Sequence, residues 1–125
     1  MKLSCLQENL SKGLSIVGRA VPSRTTMPIL GNVLLATDHG QLKLAATNLE
    51  LSVVHWVGAR VETDGALTVP ARNFIDLVSS LPPDQVDLTM DDETLSLALN
   101  CGMVNARFRG ISADEFPVVP EPEIG

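Results

Sequence analysis

The chain has 125 residues, of which 45% are hydrophobic and 19% are charged. This length is enough for one domain with a buried core, and the composition excludes a disordered protein. A net charge of -6 argues against a protein that holds DNA by bulk electrostatic attraction. Because no apolar run approaches the ~20 residues of a membrane span and the N-terminus lacks the apolar core of a signal peptide, we expect a cytoplasmic protein without a membrane partner.

The N-terminal residues predict a strand followed by a helix. Alternation over Lys2–Leu6 is typical of a short strand. From Glu8 to Val21 the apolar period becomes helical, and the stripe consists of Leu10, Leu14, Val17 and Val21. Lys12 and Arg19 are seven residues apart and project from the opposite, polar face.

Three strand patterns follow the loop that carries Arg24. Pro28 forbids a helix at Met27 and fixes an extended entry. The predicted strands are Ile29–Thr37, Gln41–Thr47 and Leu49–Val57, with positive backbone angles expected at His39-Gly40 and at Asn48. Alternation in the third strand predicts that Leu49, Leu51 and Val53 share its buried face.

The same order then repeats. Ala66–Val69 is a short strand, and Pro70 opens a second helix that carries Arg72 on its polar side and ends at Pro82-Pro83. Its apolar stripe consists of Phe74, Leu77, Val78 and Leu81. Three further strands are predicted over Gln85–Met90, Thr94–Leu99 and Met103–Arg109.

This order predicts an α+β domain in which two helices pack on antiparallel strands in a duplicated strand-helix-three-strand arrangement. The residues between Gly58 and Gly65 form a polar loop with room for a piece of edge strand. The acidic, proline-rich residues from Asp114 onward look like an exit linker.

The chemistry expected of an enzyme is missing from the sequence. Asp91-Asp92-Glu93, the densest carboxylate cluster, falls on a hairpin tip where a solvated turn is the simpler reading. Cys5 and Cys101 have strand contexts typical of small buried hydrophobes. Neither His39 nor His55 has a metal-ligand partner at the right spacing. We therefore predict no catalytic residue, no metal and no cofactor.

Four sequence blocks resemble the N-terminal domain of the bacterial sliding clamp family, the beta subunit of DNA polymerase III. They are Arg24–Leu35, Ala46–Glu50, Thr68–Phe74 and Asp114–Pro117. Their order and spacing match the family over nearly the whole chain. The resemblance implies a DNA-clamp fold: one of six similar domains in a head-to-tail homodimeric ring, with helices lining the central hole and strands forming the outer wall.

The resemblance also implies a role for the helix cations. Arg24, Arg72, Lys12 and Arg19 would contact double-stranded DNA without reading its sequence. Charge placement alone supports ordinary solvated positions equally well.

The resemblance covers one clamp domain, which we assign to residues 1–119, with 120–125 starting an interdomain linker and the second and third domains absent. Polymerase and clamp loader would then bind through the missing domains. The late strand at Arg107, Phe108 and Arg109 is the candidate edge for the second subunit, with Phe108 exposed for that contact. The alternative is that Phe108 is buried within the domain.

The sequence therefore predicts a non-enzymatic processivity factor for DNA replication. One alternative is a free-standing adaptor or inhibitor that mimics a clamp domain. Another is a small enzyme, for which a buried carboxylate or histidine in a cleft would be the first sign.

Overall fold

In this computed structural model, residues 1–117 are described; the predicted domain end at 119 and the linker over 120–125 lie outside them. The described residues form two α-helices, α1 (Gln7–Val17) and α2 (Ala71–Ser80). Their strands are β1 (Lys2–Leu6), β2 (Asn32–Asp38), β3 (Gln41–Thr47), β4 (Ser52–Gly58), β5 (Arg60–Thr63), β6 (Ala66–Pro70), β7 (Gln85–Asp91), β8 (Ser96–Cys101) and β9 (Val104–Arg109).

The two halves of the chain exchange their first strands. The five-stranded sheet has the order β5-β1-β7-β8-β9, and the four-stranded sheet has the order β4-β3-β2-β6. Strand β1 of the first half therefore pairs with β7 of the second, and β6 of the second half pairs with β2 of the first. The predicted α+β class and its duplicated order are confirmed, and β5 is the edge strand for which the polar loop had room.

Helix α1 packs closely because a glycine within it, Gly13, and the glycine that follows it, Gly18, leave space. The predicted stripe residues Leu10, Leu14 and Val17 are fully buried. A Cβ on Gly13 would lie 2.8 Å from the Val57 side chain, and one on Gly18 would lie 3.2 Å from Ile75 of α2. The first helix thus fits between β4 on one side and α2 on the other.

The first helix ends earlier than predicted. It stops at Val17 and tightens into a 3-10 turn over Gly18–Ala20. Val21 is only half-buried and lies beyond the helix. A glycine at position 18 followed by Pro22 gives the chain little reason to continue an α-helix.

The strand predicted from Ile29 begins at Asn32 instead. Met27 is extended, as Pro28 requires, with φ -104° and ψ 104°. Pro28–Gly31 then forms a 3-10 turn, closed by the Leu30 N–H bonded to the Met27 carbonyl oxygen. Pro28 disfavours a helical conformation at the residue before it, and it also suits the first position of the 3-10 turn that it begins.

A hairpin tip replaces the predicted start of β4. The Asn48 Oδ1 atom accepts hydrogen bonds from the backbone N–H groups of Glu50 (2.9 Å) and Leu51 (2.7 Å). Leu49 takes the positive φ, 78°, that was predicted for Asn48, a conformation that costs of order 1 kcal/mol for a non-glycine residue. The predicted burial of Leu49 and Leu51 is wrong: they are 61% and 46% exposed. His39 and Gly40 have the positive φ values expected of them.

Smaller corrections concern the second half. Pro70 ends β6, so α2 begins one residue later than predicted, at Ala71. Phe74, Val78 and Leu81 are buried, whereas Leu77 is only half-buried. Strand β8 begins at Ser96 because the hairpin that follows β7 extends through Leu95.

Both cysteines are buried and free. Cys5 on β1 pairs with Val86 on β7, and the β7–β8 register continues to place Cys101 on the other side of Val86. Two strand spacings separate them by about 10 Å, too far for a disulfide. Burial raises the pKa of the Cys5 thiol from 9.0 to about 12, with the Asp87 carboxylate adding to the shift.

We predict that Gly110→Ala destabilises the domain by more than about 1 kcal/mol. A Cβ at this position would lie 2.5 Å from the Thr68 carbonyl oxygen, which accepts the Ile111 N–H, so backbone must move. Gly31→Ala is the matched control, because nothing lies within 4 Å of its added Cβ. Urea unfolding of both variants measures the difference, and equal stabilities would contradict this packing.

Cys5 gives a prediction about alkaline pH. Its folded-state pKa lies above the unfolded value, so the stabilisation is fully present below pH 9 and is lost as pH rises through about 12. Iodoacetamide at about pH 8 should label Cys5 and Cys101 in urea but not in the native chain. Rapid labelling of the folded protein would show that the thiols are accessible.

Candidate nucleic-acid interface

Arg24 and Arg72 lie on the same groove although 48 residues of sequence, 72 minus 24, separate them. The groove has a volume of about 440 Å³ and is open to solvent. One wall is the loop that carries Arg24, and the other is the first turn of α2, Ala71–Asn73. Both arginine side chains belong to exposed residues.

Strand pairing explains this convergence. Asn32, the first residue of β2, lies opposite Pro70, the last residue of β6. The loop that enters β2 is therefore beside the start of α2. A buried network fixes the junction: Asn32 Nδ2 donates to Thr68 Oγ1 (3.0 Å), which donates to the Ile111 carbonyl oxygen (2.8 Å).

Lys12 and Arg19 lie outside that groove. Lys12 lines a second groove, of about 260 Å³, between α1 and β4, together with His55 and Trp56. Arg19 is exposed on the 3-10 turn after α1. The structure thus brings two of the four predicted DNA-contacting cations together and leaves the other two apart from them.

None of these four cations forms an ion pair with a carboxylate of residues 1–117. Ion pairs within that range include Lys2–Glu62, 3.4 Å, and Asp38 with His39 when the imidazole is protonated, 2.6 Å. The arginines of the groove are therefore available to an external anion. Guanidinium groups bind phosphate well, because their planar N–H donors match the geometry of its oxygens.

Strand β9 is an edge of the five-stranded sheet, as the sequence predicted for this region. Arg107 and Arg109 are exposed, and Arg107 Nη1 donates to Ser96 Oγ at 3.4 Å. The expected exposure of Phe108 is wrong. Its ring is half-buried and meets the Phe74 ring edge to face, with centroids 5.2 Å apart, because alternation along β9 turns it towards α2.

The carboxylate hairpin is built as a turn. Asp91 Oδ1 accepts a hydrogen bond from the Glu93 backbone N–H at 3.0 Å, and all three acidic residues are exposed. In residues 1–117, no group of three or more His, Cys, Asp or Glu residues is arranged to hold a metal ion. No helix of this range is long and apolar enough to cross a membrane.

One polar cluster was missed by sequence reasoning. Asp38 Oδ2 accepts a hydrogen bond from Trp56 Nε1 at 2.8 Å, and Asp38 Oδ1 lies 2.6 Å from His39 Nδ1. The Trp56 bond, followed by the His39 bond, lowers the pKa of the Asp38 carboxyl below its ordinary value. No local signal connects Trp56 on β4 with Asp38 on β2, because only the sheet order brings them together.

Comparison with known proteins gives a consistent result. The family described as DNA polymerase III beta subunit, N-terminal domain, matches residues 1–120. The beta sliding clamp of Synechococcus elongatus is 48% identical over 122 residues, which cover 96% of this chain and 32% of that protein. The beta sliding clamp of Pseudomonas putida is 35% identical over 123 residues, covering 97% of this chain and 33% of its own length.

Solved structures agree with the sequence relatives. The DNA polymerase sliding clamp of Caulobacter crescentus superposes with a TM-score of 0.91 at 30% identity, covering 97% of this chain and 33% of that one. The DNA polymerase III beta subunit of Pseudomonas aeruginosa gives a TM-score of 0.87 at 32% identity, with coverages of 98% and 33%. The chain spans about a third of the length of these relatives.

Proposed function

Because the chain belongs to the family of the DNA polymerase III beta subunit, in the part that forms its N-terminal domain, we propose that it serves as one domain of a ring that encircles duplex DNA and tethers a DNA polymerase. Residues 1–119 would be this domain. It acts by position rather than catalysis, and inside the cell, where the DNA is. No finding supports a free-standing adaptor.

The observation that carries the proposal is the Arg24–Arg72 groove. Two exposed arginines line it, one from each half of the chain, and neither forms an ion pair with a carboxylate of residues 1–117. Two arginines that line one groove suit the phosphates of a duplex backbone. Contacts to phosphates carry no sequence information, so a site built on them would bind DNA of any sequence.

The net charge of -6 is compatible with this role. A protein that surrounds DNA is retained by topology, so a few phosphate contacts suffice. Each phosphate contact adds to the affinity for DNA and to the salt dependence of that affinity. A few contacts therefore bind weakly, and weak binding allows the ring to slide. Acidic residues elsewhere keep the ring from binding too tightly.

Lys12 and Arg19 are proposed as supplementary contacts. Both are exposed on the first helical segment, but they lie outside the Arg24–Arg72 groove. We therefore assign the larger effect on DNA to Arg24 and Arg72.

The uncovered edge of β9 is proposed as the contact with a second subunit. A partner strand could add to the five-stranded sheet there, with Arg107 and Arg109 facing acidic groups of the partner. Phe108 would support that edge from within through Phe74. Polymerase and clamp loader would bind the ring through its remaining domains.

In a clamp whose first domain is this chain, Arg24→Ala combined with Arg72→Ala should weaken retention on primed circular DNA. The loss of two phosphate contacts in each subunit should also reduce the salt slope of binding by about 1.8 per subunit. Unfolding free energy should change by less than about 0.5 kcal/mol, since both residues are exposed. Gel filtration of loaded clamp at several salt concentrations measures the effect.

Lys2→Ala combined with Arg60→Ala is the matched control, because it removes two exposed cations outside the groove. Equal retention by the double variant and this control would remove the site assignment. The chain alone should bind duplex DNA with a Kd near or above about 10⁻⁴ M; nanomolar binding would contradict topological retention.

Charge reversal tests the β9 edge. Arg107→Glu with Arg109→Glu should weaken dimerisation of the same clamp by about tenfold or more, because the altered edge repels an acidic partner. Sedimentation at several concentrations measures the dimer. Arg19→Glu combined with Arg60→Glu controls for net charge, because it reverses two exposed arginines outside β9. A dimer constant like that of the control would place the subunit interface elsewhere.

A further inference from the structure

The two ends of the four-stranded sheet differ in chemistry. At one end, four residues lie opposite one another in a row across the strands β6, β2, β3 and β4. They are Pro70, Asn32, Thr47 and Ser52. Beyond this row lie the Arg24–Arg72 groove and, 43% exposed, Met27. We call it the arginine end. The opposite end carries the polar turn from Asp38 to Gln41, and we call it the turn end.

The hairpin tip Asn48–Leu51 projects from the arginine end and is held rigidly. Besides the two bonds to Asn48 Oδ1, the Asn48 N–H donates to the Leu51 carbonyl oxygen at 3.1 Å. Thr47 Oγ1 accepts from the Leu49 N–H at 3.0 Å and from Ser52 Oγ at 2.8 Å. Its shape is therefore largely set before any partner arrives.

The chemistry of the tip fits a protein rather than DNA. Leu49 and Leu51 are the large exposed apolar side chains, and the exposed Glu50 lies between them. A carboxylate would be repelled by the phosphate backbone. Two leucines around a carboxylate match an apolar pocket bordered by a cation. Leu49 has a left-handed backbone conformation, which costs free energy in a non-glycine residue. Such conformations are enriched at functional sites, so this one favours a functional role for the tip.

The position of the tip in the sheet limits the class of protein that it could bind. Strand spacing puts the tip about 10 to 14 Å from β6, where the groove begins. A protein seated on the tip would therefore lie beside the duplex held in that groove. The family description names a DNA polymerase as the larger assembly.

We propose that the Asn48–Leu51 tip docks the DNA-bound polymerase, inserting Leu49 and Leu51 into an apolar pocket bordered by a cation. This rests on the proposed function, since it takes the arginine end as the side from which the polymerase extends along the duplex. The tip is then an auxiliary contact that works only while clamp and polymerase share one DNA.

A cross-linking experiment tests the contact. In a clamp whose first domain is this chain, Leu49→Cys is labelled with a thiol-directed photo-cross-linker; Cys5 and Cys101 are buried. The clamp is loaded on primed circular DNA with the polymerase and illuminated. We expect a polymerase adduct about tenfold stronger than from His39→Cys, which is exposed at the turn end.

Equal adducts from both positions, no polymerase adduct, or an adduct to another part of the clamp would each overturn the proposal. Retention of the labelled clamp on the circle is measured in the same samples. Loss of retention in the unlabelled parent clamp would instead count against the proposed function, so the two failures are distinguishable.

A paired substitution adds a functional readout. Leu49→Asn with Leu51→Ser removes the apolar surface while asparagine tolerates the left-handed backbone. We expect shorter products per polymerase binding event with retention of the clamp unchanged. Arg24→Ala with Arg72→Ala should instead reduce retention first. Unchanged product length in the leucine variant would overturn the docking role.

Discussion

The exchange of first strands between the two halves is the constraint on which the rest of the structure depends. Because β1 completes the sheet of the second half and β6 completes that of the first, neither half has a finished sheet by itself. The exchange also brings the two helices side by side. A groove with one wall from each half follows directly, and Arg24 and Arg72 both line it.

This origin explains how a small basic site exists in an acidic protein. The groove requires no cluster of cations in the sequence, because folding assembles it from single arginines at two junctions. The Asn32–Thr68–Ile111 network is buried at the same place, so the loop and helix walls share one anchor. Backbone geometry places two positive charges at one groove while the net charge of the chain remains negative.

Periodicity predicted the elements well where side-chain burial determines them. Apart from Val21 and Leu77, the predicted stripes of both helices are buried, and the β2–β3 hairpin and the late β-strands also follow from apolar spacing. It failed where side chains bond to nearby backbone. Asn48 Oδ1 accepts hydrogen bonds from two backbone N–H groups, so Leu49–Leu51 form a hairpin tip instead of the predicted strand. Pro28 begins a 3-10 turn where the start of β2 was predicted. An apolar pattern alone cannot register such local competition.

The candidate site was predictable only in part. Resemblance singled out the four cations, but nothing in their spacing indicated that Arg24 and Arg72 would share a groove without Lys12, because that depends on which strands pair. The burial of Phe108 could not be predicted for a similar reason. Whether its side chain points inwards depends on the register of β9 against β8, which places Leu97 opposite Phe108. Long-range register is determined by the whole sheet rather than by the local sequence.

The β9 edge shows how one set of residues can meet two demands. An uncovered edge strand invites pairing with any other chain. Arginines at 107 and 109 disfavour pairing with a second copy of the same edge, since like charges would face each other. They favour an edge that offers carboxylates. If β9 forms the proposed subunit contact, the same two charges would protect the isolated chain from self-pairing and would select an unlike partner strand, as a head-to-tail contact requires.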